Sequence, residues 1–252
     1  MIITLTTDFG LKDPFVGAMK GVILGLAPLV QIVDITHEVP SYDVTEASMV
    51  IQEACRFFPA GTIHVVVVDP GVGSARRPIA LAGREKETDQ IFIAPDNGVL
   101  SLVSGSGVAR HITNTGLFNH PVSQTFHGRD IFAPVAAHLA TGTAIELVGP
   151  TVTDLITHFS FQKPTILRVD KFGNLMTNLH RDQLRSGFVI RAGGVEIRRV
   201  LSSYAEALPG EIFAINGSVG LIELSLNRGS AAERLNLRRG AEFEVETGTV
   251  NQ

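Results

Sequence analysis

Residues 63–78 read IHVVVVDPGVGSARRP, and the fold turns on how this stretch is interpreted. Four consecutive valines, Val65 to Val68, run into Asp69, and a turn rich in Pro and Gly follows before Arg76 and Arg77. A short unbroken β-branched run bounded by turn residues is the pattern of a strand buried on both faces, as in the middle of a parallel sheet. In open α/β sheets, ligands sit beyond the carboxyl ends of such strands. Asp69 stands at that end, and Gly71 and Gly73 allow backbone and ligand to approach closely. Asp69 is equally readable as a turn residue that bonds its own loop.

Working outward, the chain before the valine run alternates strand and helix. Ile2 to Thr6 predicts a first strand, ending in Thr7-Asp8-Phe9-Gly10. Asp13-Pro14 predicts a helix start, with the aspartate as N-cap. Phe15, Met19, Val22, Ile23 and Leu26 then recur at helical spacing. Val30 to Ile35 is a second strand, and His37 to Tyr42 a polar loop. Asp43 and Glu46 form a capping-box variant in front of a helix that carries Val44, Ala47, Val50, Ile51, Ala54 and Phe57-Phe58 inward. After the valine run, Pro78–Ala82 and Gln90–Ala94 read as strands around a charged turn, Arg84-Glu85-Lys86-Glu87. Asp96-Asn97-Gly98 predicts a short helix to Val103. Gly128 to Ala140 predicts a helix interrupted by Pro134. Alternation of this kind argues a mostly parallel sheet with helices on its faces.

Beyond about Ser160 the texture changes to short strands separated by turns: Thr165–Asp170, Glu196–Val200, Glu211–Ile215, Gly220–Leu226 and Glu242–Glu246. The expectation is an α/β domain over 1–160, a linker around Gln162-Lys163-Pro164, and a smaller antiparallel β-barrel domain over 165–252.

Totals exclude several classes. A net charge of −4 over 252 residues provides no basic field for nucleic acid. A single cysteine, Cys55, excludes an intramolecular disulfide and suits a reducing cytoplasm; its apolar neighbours on a helix predict a buried, inert thiol. No basic leader or long apolar run indicates a signal peptide or membrane span. Asp8-Phe9-Gly10 spells a kinase triplet, but it follows the first strand with no catalytic loop before it. Histidines are frequent, but no pair has the helical two-His spacing and no Cys/His cluster exists, so no metal site is expected. His64 reads as a core histidine, and His111, His120, His138 and His158 as loop or helix-surface residues.

Polar clusters do fall at predicted strand ends: Asp8 with Asp13, His37 to Tyr42, Asp69 with Arg76, and Phe126-His127-Gly128-Arg129-Asp130. Two more lie in the second half, at Asp170–Asn174 and at Asn216-Gly217-Ser218 with Glu223 and Asn227. A carboxylate, a guanidinium and an imidazole at one strand edge can hold and polarise a water. Arginine keeps the carboxylate ionised, and the histidine or aspartate can steer the water's proton. Spacing alone does not establish that Asp69, Arg76 and His127 meet.

Six blocks carry a resemblance: TTDFGLKDPFVGAMKG, VDITHEVPSYDV, VVVVDPGVGSARRPI, TFHGRD, VDKFGNLMTN and INGSVGLIELSLN. In this order, over nearly the whole chain, they are similar to the S-adenosylmethionine hydrolase (hydroxide adenosyltransferase) family, related to fluorinase and chlorinase. The resemblance implies an N-terminal α/β domain and a C-terminal β-barrel. It also implies a homotrimer with sites between subunits, no cofactor, and hydrolysis of S-adenosyl-L-methionine to adenosine and L-methionine. Asp69, Arg76 and His127 match the family's water-handling set. Halide-using relatives carry tyrosine at the position of Asp69 and a Tyr-Ser pair at His127-Gly128.

Substrate residues carry over by motif. Asp8 matches the ribose-diol aspartate, a good acceptor for two hydroxyls. Asp13 and Asp170 match acidic positions near the amine and sulfonium. Tyr42, Phe126 and Phe172 match aromatic walls. Asn174 and Asn216 match polar positions around the adenine and amino acid, Ser218 of the same cluster is a further substrate-binding candidate, and Glu223 is a strand carboxylate costly to bury unpaired. Arginines found in halogenases near Val219 and Leu226 are missing here. Arg77 and Arg129 read as structural or surface residues. Two alternatives stay open from sequence: a non-catalytic adenosine or S-adenosylmethionine binding module, and halogenase-type substitution.

Overall fold

The structure is a computed structural model that describes residues 1–85, 88–105, 107–157 and 163–246. Lys86 and Glu87 of the expected charged turn, His158, and Gln162 of the expected linker lie outside the described residues. The chain divides into two compact units, Met1–Phe159 and Ser160–Gln252.

The first unit is built on a sheet with strand order β2-β1-β3-β5-β4-β6-β7. Its parallel part comprises β1 (Ile2–Thr7), β2 (Gln31–Thr36), β3 (Ile63–Val67) and β5 (Thr88–Pro95). An antiparallel flank is added by β4 (Pro78–Glu85), β6 (Val108–His111) and β7 (Thr151–Val152). His111, expected on a loop or helix surface, is thus a strand residue opposite Ile79.

The valine run behaves as its pattern requires. Val65 and Val67 belong to one apolar core, with Ile3, Leu5 and the helix residues Met19, Ile23, Phe132 and Val135. Val66 and Val68 belong to the opposite core, with Ala47, Ile51, Leu81 and Phe92. Side chains alternate between faces along a strand, so four adjacent valines fill two cores. Each buried valine contributes about 1.5–3 kcal/mol.

Helix α1 (Phe15–Leu26) covers the first face and α2 (Val44–Cys55) the second. Asp43 caps α2 by accepting the N–H of Glu46. Asp13, by contrast, does not cap α1. Pro14 occupies the cap position, its carbonyl accepts the N–H of Ala18, and no side chain closes the turn. The stretch after Asp96 forms successive turns rather than a helix. Its reason is competition for the capping carboxylate: Arg77 Nε takes Asp96 Oδ2 at 2.9 Å, and Ile156 N takes Oδ1 at 3.0 Å. Phe57, expected to point inward beyond α2, is exposed beneath the Arg56 guanidinium.

The expected helix near Pro134 is two pieces. A π-helical turn covers Gly128–Phe132, and α3 runs from Ala133 to Ala140 with Pro134 in its first turn, where the missing N–H costs nothing.

The second unit contains two sheets. One has the order β12-β13-β14-β9-β8, from β8 (Ile166–Val169), β9 (Leu175–His180), β12 (Val200–Leu201), β13 (Ile212–Asn216) and β14 (Leu221–Leu226). The other is β11-β10-β15, from β10 (Val189–Ala192), β11 (Val195–Ile197) and β15 (Glu244–Glu246). Pairing is antiparallel except between β12 and β13. Among the described residues the ladders leave two open sheets and no closed barrel. Their shared core holds Ile166, Leu175, Ile190, Ala214, Leu224 and Phe243, with Leu235 of α4 (Ala231–Leu235).

Candidate active site

The carboxyl end of β3 places Asp69. Asn97 Nδ2 donates to the Val68 carbonyl at 2.9 Å and satisfies the strand end. The loop then doubles back through Val72 N to Asp69 O and Ser74 N to Gly71 O. Gly73 has φ +76°, and a Cβ there would run into the carbonyl of Gln124. Glycine at this position therefore permits both the left-handed turn and the close approach of the 123–126 loop.

The returning chain brings Arg76 onto Asp69. Nε donates to both carboxylate oxygens at 2.9 Å, and Nη2 donates to Oδ2 as well. The two side chains are 8 % and 5 % exposed. A bidentate pair this buried has a fixed geometry. Neighbouring Arg77 faces elsewhere, onto Asp96 and Asp154. Two adjacent arginines thus serve separate partners: Arg77 anchors the loop, and Arg76 holds the strand-end carboxylate.

Arg76 Nη2 also lies 2.7 Å from His127 Nδ1, and the guanidinium sits over the Phe132 ring at 5.3 Å. Arginine has donors only, so Nδ1 is an acceptor here and the imidazole proton resides on Nε2. Burial, and then the Arg76 charge, lower the His127 pKa below its ordinary value. His127 precedes the π-helical turn, whose Asp130 is fully buried. Asp130 is held by Arg129, Asn119 Nδ2 and Ser123 N. This clamp fixes the segment that carries His127, and Arg129 additionally covers the Phe126 ring at 5.1 Å.

A cavity of about 420 Å³ opens beside these groups, lined by Asp8, Asp13, Tyr42, Asp69, Phe126 and His127 among others. Asp8 Oδ2 accepts the N–H of Tyr42 at 2.8 Å. Tyr42 has φ +68° and is 71 % exposed, a strained backbone for a bulky residue of the kind that collects at functional sites. Phe9, Phe15 and Phe126 form an edge-to-face cluster with centroids 5.2–5.9 Å apart. Asp8, Asp13, Tyr42, Asp69, Phe126 and His127 therefore line one cavity, and Arg76 reaches it through its bonds to Asp69 and His127.

The second unit has its own cavity, of about 690 Å³, containing Asp170, Phe172, Asn174, Asn216, Ser218 and Glu223. Asp170 is engaged by its own turn: Oδ1 accepts the N–H groups of Phe172 and Asn174, and Oδ2 accepts Asn174 Nδ2 at 2.9 Å. Phe172 stands 66 % exposed with Lys171 Nζ above its ring. Burial raises the Glu223 pKa, and its carboxylate lies over Gly217, where a Cβ would clash with Oε1. Tyr204 and Arg228 are among the lining residues that escaped the sequence reading. Tyr204 donates its hydroxyl to Glu223 Oε2 at 3.3 Å, and Arg228 holds a left-handed backbone at φ +63° on the cavity wall.

Among the described residues no three His, Cys, Asp or Glu side chains group as metal ligands, and no helix is long and apolar enough to cross a membrane.

Comparison with known proteins bears on this arrangement. Residues 3–149 match the model of the SAM hydroxide adenosyltransferase N-terminal domain, and residues 164–244 that of the C-terminal domain. The (R)-S-adenosyl-L-methionine hydrolase of Salinispora tropica is 37 % identical, covering 98 % of each chain. The protein of the same name from Thermus thermophilus is 37 % identical over 93 % of this chain and 95 % of its own. Proteins named fluorinase are more distant, such as that of Nocardia brasiliensis at 31 % identity over 98 % of this chain and 97 % of its own. The crystal structure of an uncharacterized conserved protein from Thermotoga maritima superposes with a TM-score of 0.87 at 38 % identity, covering 97 % of this chain and 99 % of that one. With both domain models matched in order across one chain, and such likeness over full length, this protein belongs to the SAM hydroxide adenosyltransferase family.

Proposed function

We propose that this protein hydrolyses S-adenosyl-L-methionine to adenosine and L-methionine, with water attacking C5′ of the ribose. The observation that carries the reading is the contiguous Asp69–Arg76–His127 set, of which Asp69 and His127 line the first cavity. The leaving group is a sulfonium that departs as a neutral thioether, so no general acid is required. What the protein must supply is an oriented nucleophile in line with the C–S bond, in a cavity with little water.

Asp69 orients the water by accepting a hydrogen bond from it. As the C–O bond forms, the attached oxygen becomes strongly acidic, and Asp69 takes its proton. Arg76 holds that carboxylate in one orientation, and His127, with its proton on Nε2, presents a donor rather than a base. Asp8 accepts the ribose hydroxyls, and Tyr42 and Phe126 wall the nucleoside. Asp13 faces the positive charge. In a neighbouring subunit's second domain, as the resemblance implies, Phe172, Asn174, Asn216, Ser218 and Glu223 receive the rest of the substrate, with Asp170 shaping their turn.

A halogenase would need to admit an anion beside Asp69, and the carboxylate repels one. A mere binding module would not need the three-residue set. The resemblance further supports a homotrimer in which one subunit's first domain meets a neighbour's second, barrel-like domain, and a single buried cysteine suits the cytoplasm.

Chromatography of S-adenosylmethionine incubated with the protein in halide-free buffer, with and without chelator, tests the reading. Adenosine and methionine in both samples are expected. Unchanged substrate, recovered intact from the denatured protein, would leave only the binding module.

A further inference from the structure

The loop after β2 carries a second buried histidine that the chemistry above does not use. His37 is 4 % exposed. Its Nδ1 lies 2.9 Å from Thr7 Oγ1. Its Nε2 faces Asp34 Oδ1 at 3.1 Å, an ion-pair distance outside aligned hydrogen-bond geometry. Lys20 Nζ holds the other Asp34 oxygen at 2.6 Å. Thr7 Oγ1 accepts the N–H of Phe9 at 3.2 Å, which leaves its own proton for His37 Nδ1. One tautomer then serves both ends, because Nδ1 accepts from Thr7 while Nε2–H faces Asp34.

The backbone completes the arrangement. Gly10 N donates to the His37 carbonyl at 2.8 Å, and Val39 N to the Thr7 carbonyl at 3.4 Å. These bonds converge on the Thr7–Gly10 turn that carries Asp8, and on the loop that leads to Tyr42. A carboxylate meeting two vicinal hydroxyls must be placed closely, and the placement of a short side chain is set by its backbone.

We propose that His37 is a positioning residue for ribose recognition: it ties the Asp8 turn to the Tyr42 loop through Thr7 and Gly10, with the Lys20–Asp34 pair fixing the imidazole from outside. This rests on Asp8 as the ribose ligand. A polar chain of fixed direction ending on the turn of a ligand-facing carboxylate serves geometry.

Calorimetric binding of adenosine and of 2′,3′-dideoxyadenosine by the full-length protein reads the ribose contact separately from the base. Wild type is expected to favour adenosine by roughly tenfold or more, as bonds to a charged acceptor do. His37→Gln lowers that preference about five- to tenfold and leaves dideoxyadenosine affinity within about twofold. Asp34→Asn, at the half-exposed outer end, lowers it less and decides the matter should His37→Gln not fold. Equal weakening of both ligands, or an unchanged preference, overturns the proposal. Asp8→Ala separates the layers. If it keeps the preference, Asp8 is not the ribose ligand and the proposal falls with that assignment. If it abolishes the preference while the His37 and Asp34 variants retain it, only the positioning role falls.

Discussion

Arg76 Nη2 and His127 Nδ1 lie 2.7 Å apart, and because one of them has only protons to give, the other has only a lone pair to offer. A protonated His127 would break this contact. Its pKa is lowered, by burial first and by Arg76 second, so the neutral ring persists below the ordinary histidine range. The expected kcat/KM is flat from pH 8 to about 6.5, the unperturbed value, and falls only at lower pH. A midpoint above that value in a pH–rate profile would contradict the assigned tautomer.

Asp69→Ala and His127→Ala should lower turnover by about 10²–10⁴-fold, the range of positioned proton-handling groups. Adenosine affinity should remain near wild type, because neither side chain is a ribose or base ligand in the proposed reaction. Steady-state rates beside calorimetric adenosine binding check this, and parallel loss of both would remove the two residues from the water-handling role.

Gly73→Ala adds a side chain to a left-handed position already in contact with Gln124. Backbone strain of this kind costs about 1–3 kcal/mol, and the displaced loop should carry Arg76 away from Asp69. A lower denaturation midpoint and at least about tenfold slower turnover are expected. Wild-type activity in this variant would mean that the loop adjusts without moving Arg76.

His64 offers a stability test remote from the site. It is fully buried in β3, bonded to Thr4 Oγ1 at 2.7 Å and stacked on Phe92, and burial lowers its pKa to about 4. The folded value lies below the unfolded one of about 6.5, so the unfolded chain binds the extra proton between them. Stability is therefore full above pH 6.5 and declines as pH falls toward 4, by roughly 3 kcal/mol from this residue. Urea denaturation at pH 7 and pH 4.5 should show the decline, and His64→Leu should reduce it even if its stability at pH 7 is lower. An identical pH dependence in the variant would assign the loss elsewhere.

The parallel strands and the Asp69 cluster were legible because both depend on short-range pattern: four valines cannot face one side, and an aspartate after them must sit at the strand end. Other features depend on partners distant in sequence. Asp13 reads as an N-cap until Pro14 is seen to occupy that position, and Asp96 as a helix start until Arg77 and Ile156 claim its carboxylate. Strand β9 was hidden by Thr177, a polar residue on the inward side whose hydroxyl bonds the Ile222 carbonyl at 2.7 Å. Strand β10 did carry a signal, the Gly193-Gly194 pair, both at positive φ, which joins it to β11. Tyr204 and Arg228 reach the second cavity through a 3-10 turn and a left-handed residue, neither of which has a periodic signature.

The four valines also set a hierarchy of motion. Amides in a strand packed on both faces exchange with solvent only when most of the unit opens, whereas loops with few buried contacts open at little cost. Deuterium should therefore enter Val65–Val67 last and the Ser41–Tyr42 segment early. The carboxylate proposed to handle water follows the strand expected to exchange last, and Tyr42 belongs to a segment expected to exchange early. Such a division would let a nucleoside enter and leave past Tyr42 without disturbing the alignment of Asp69.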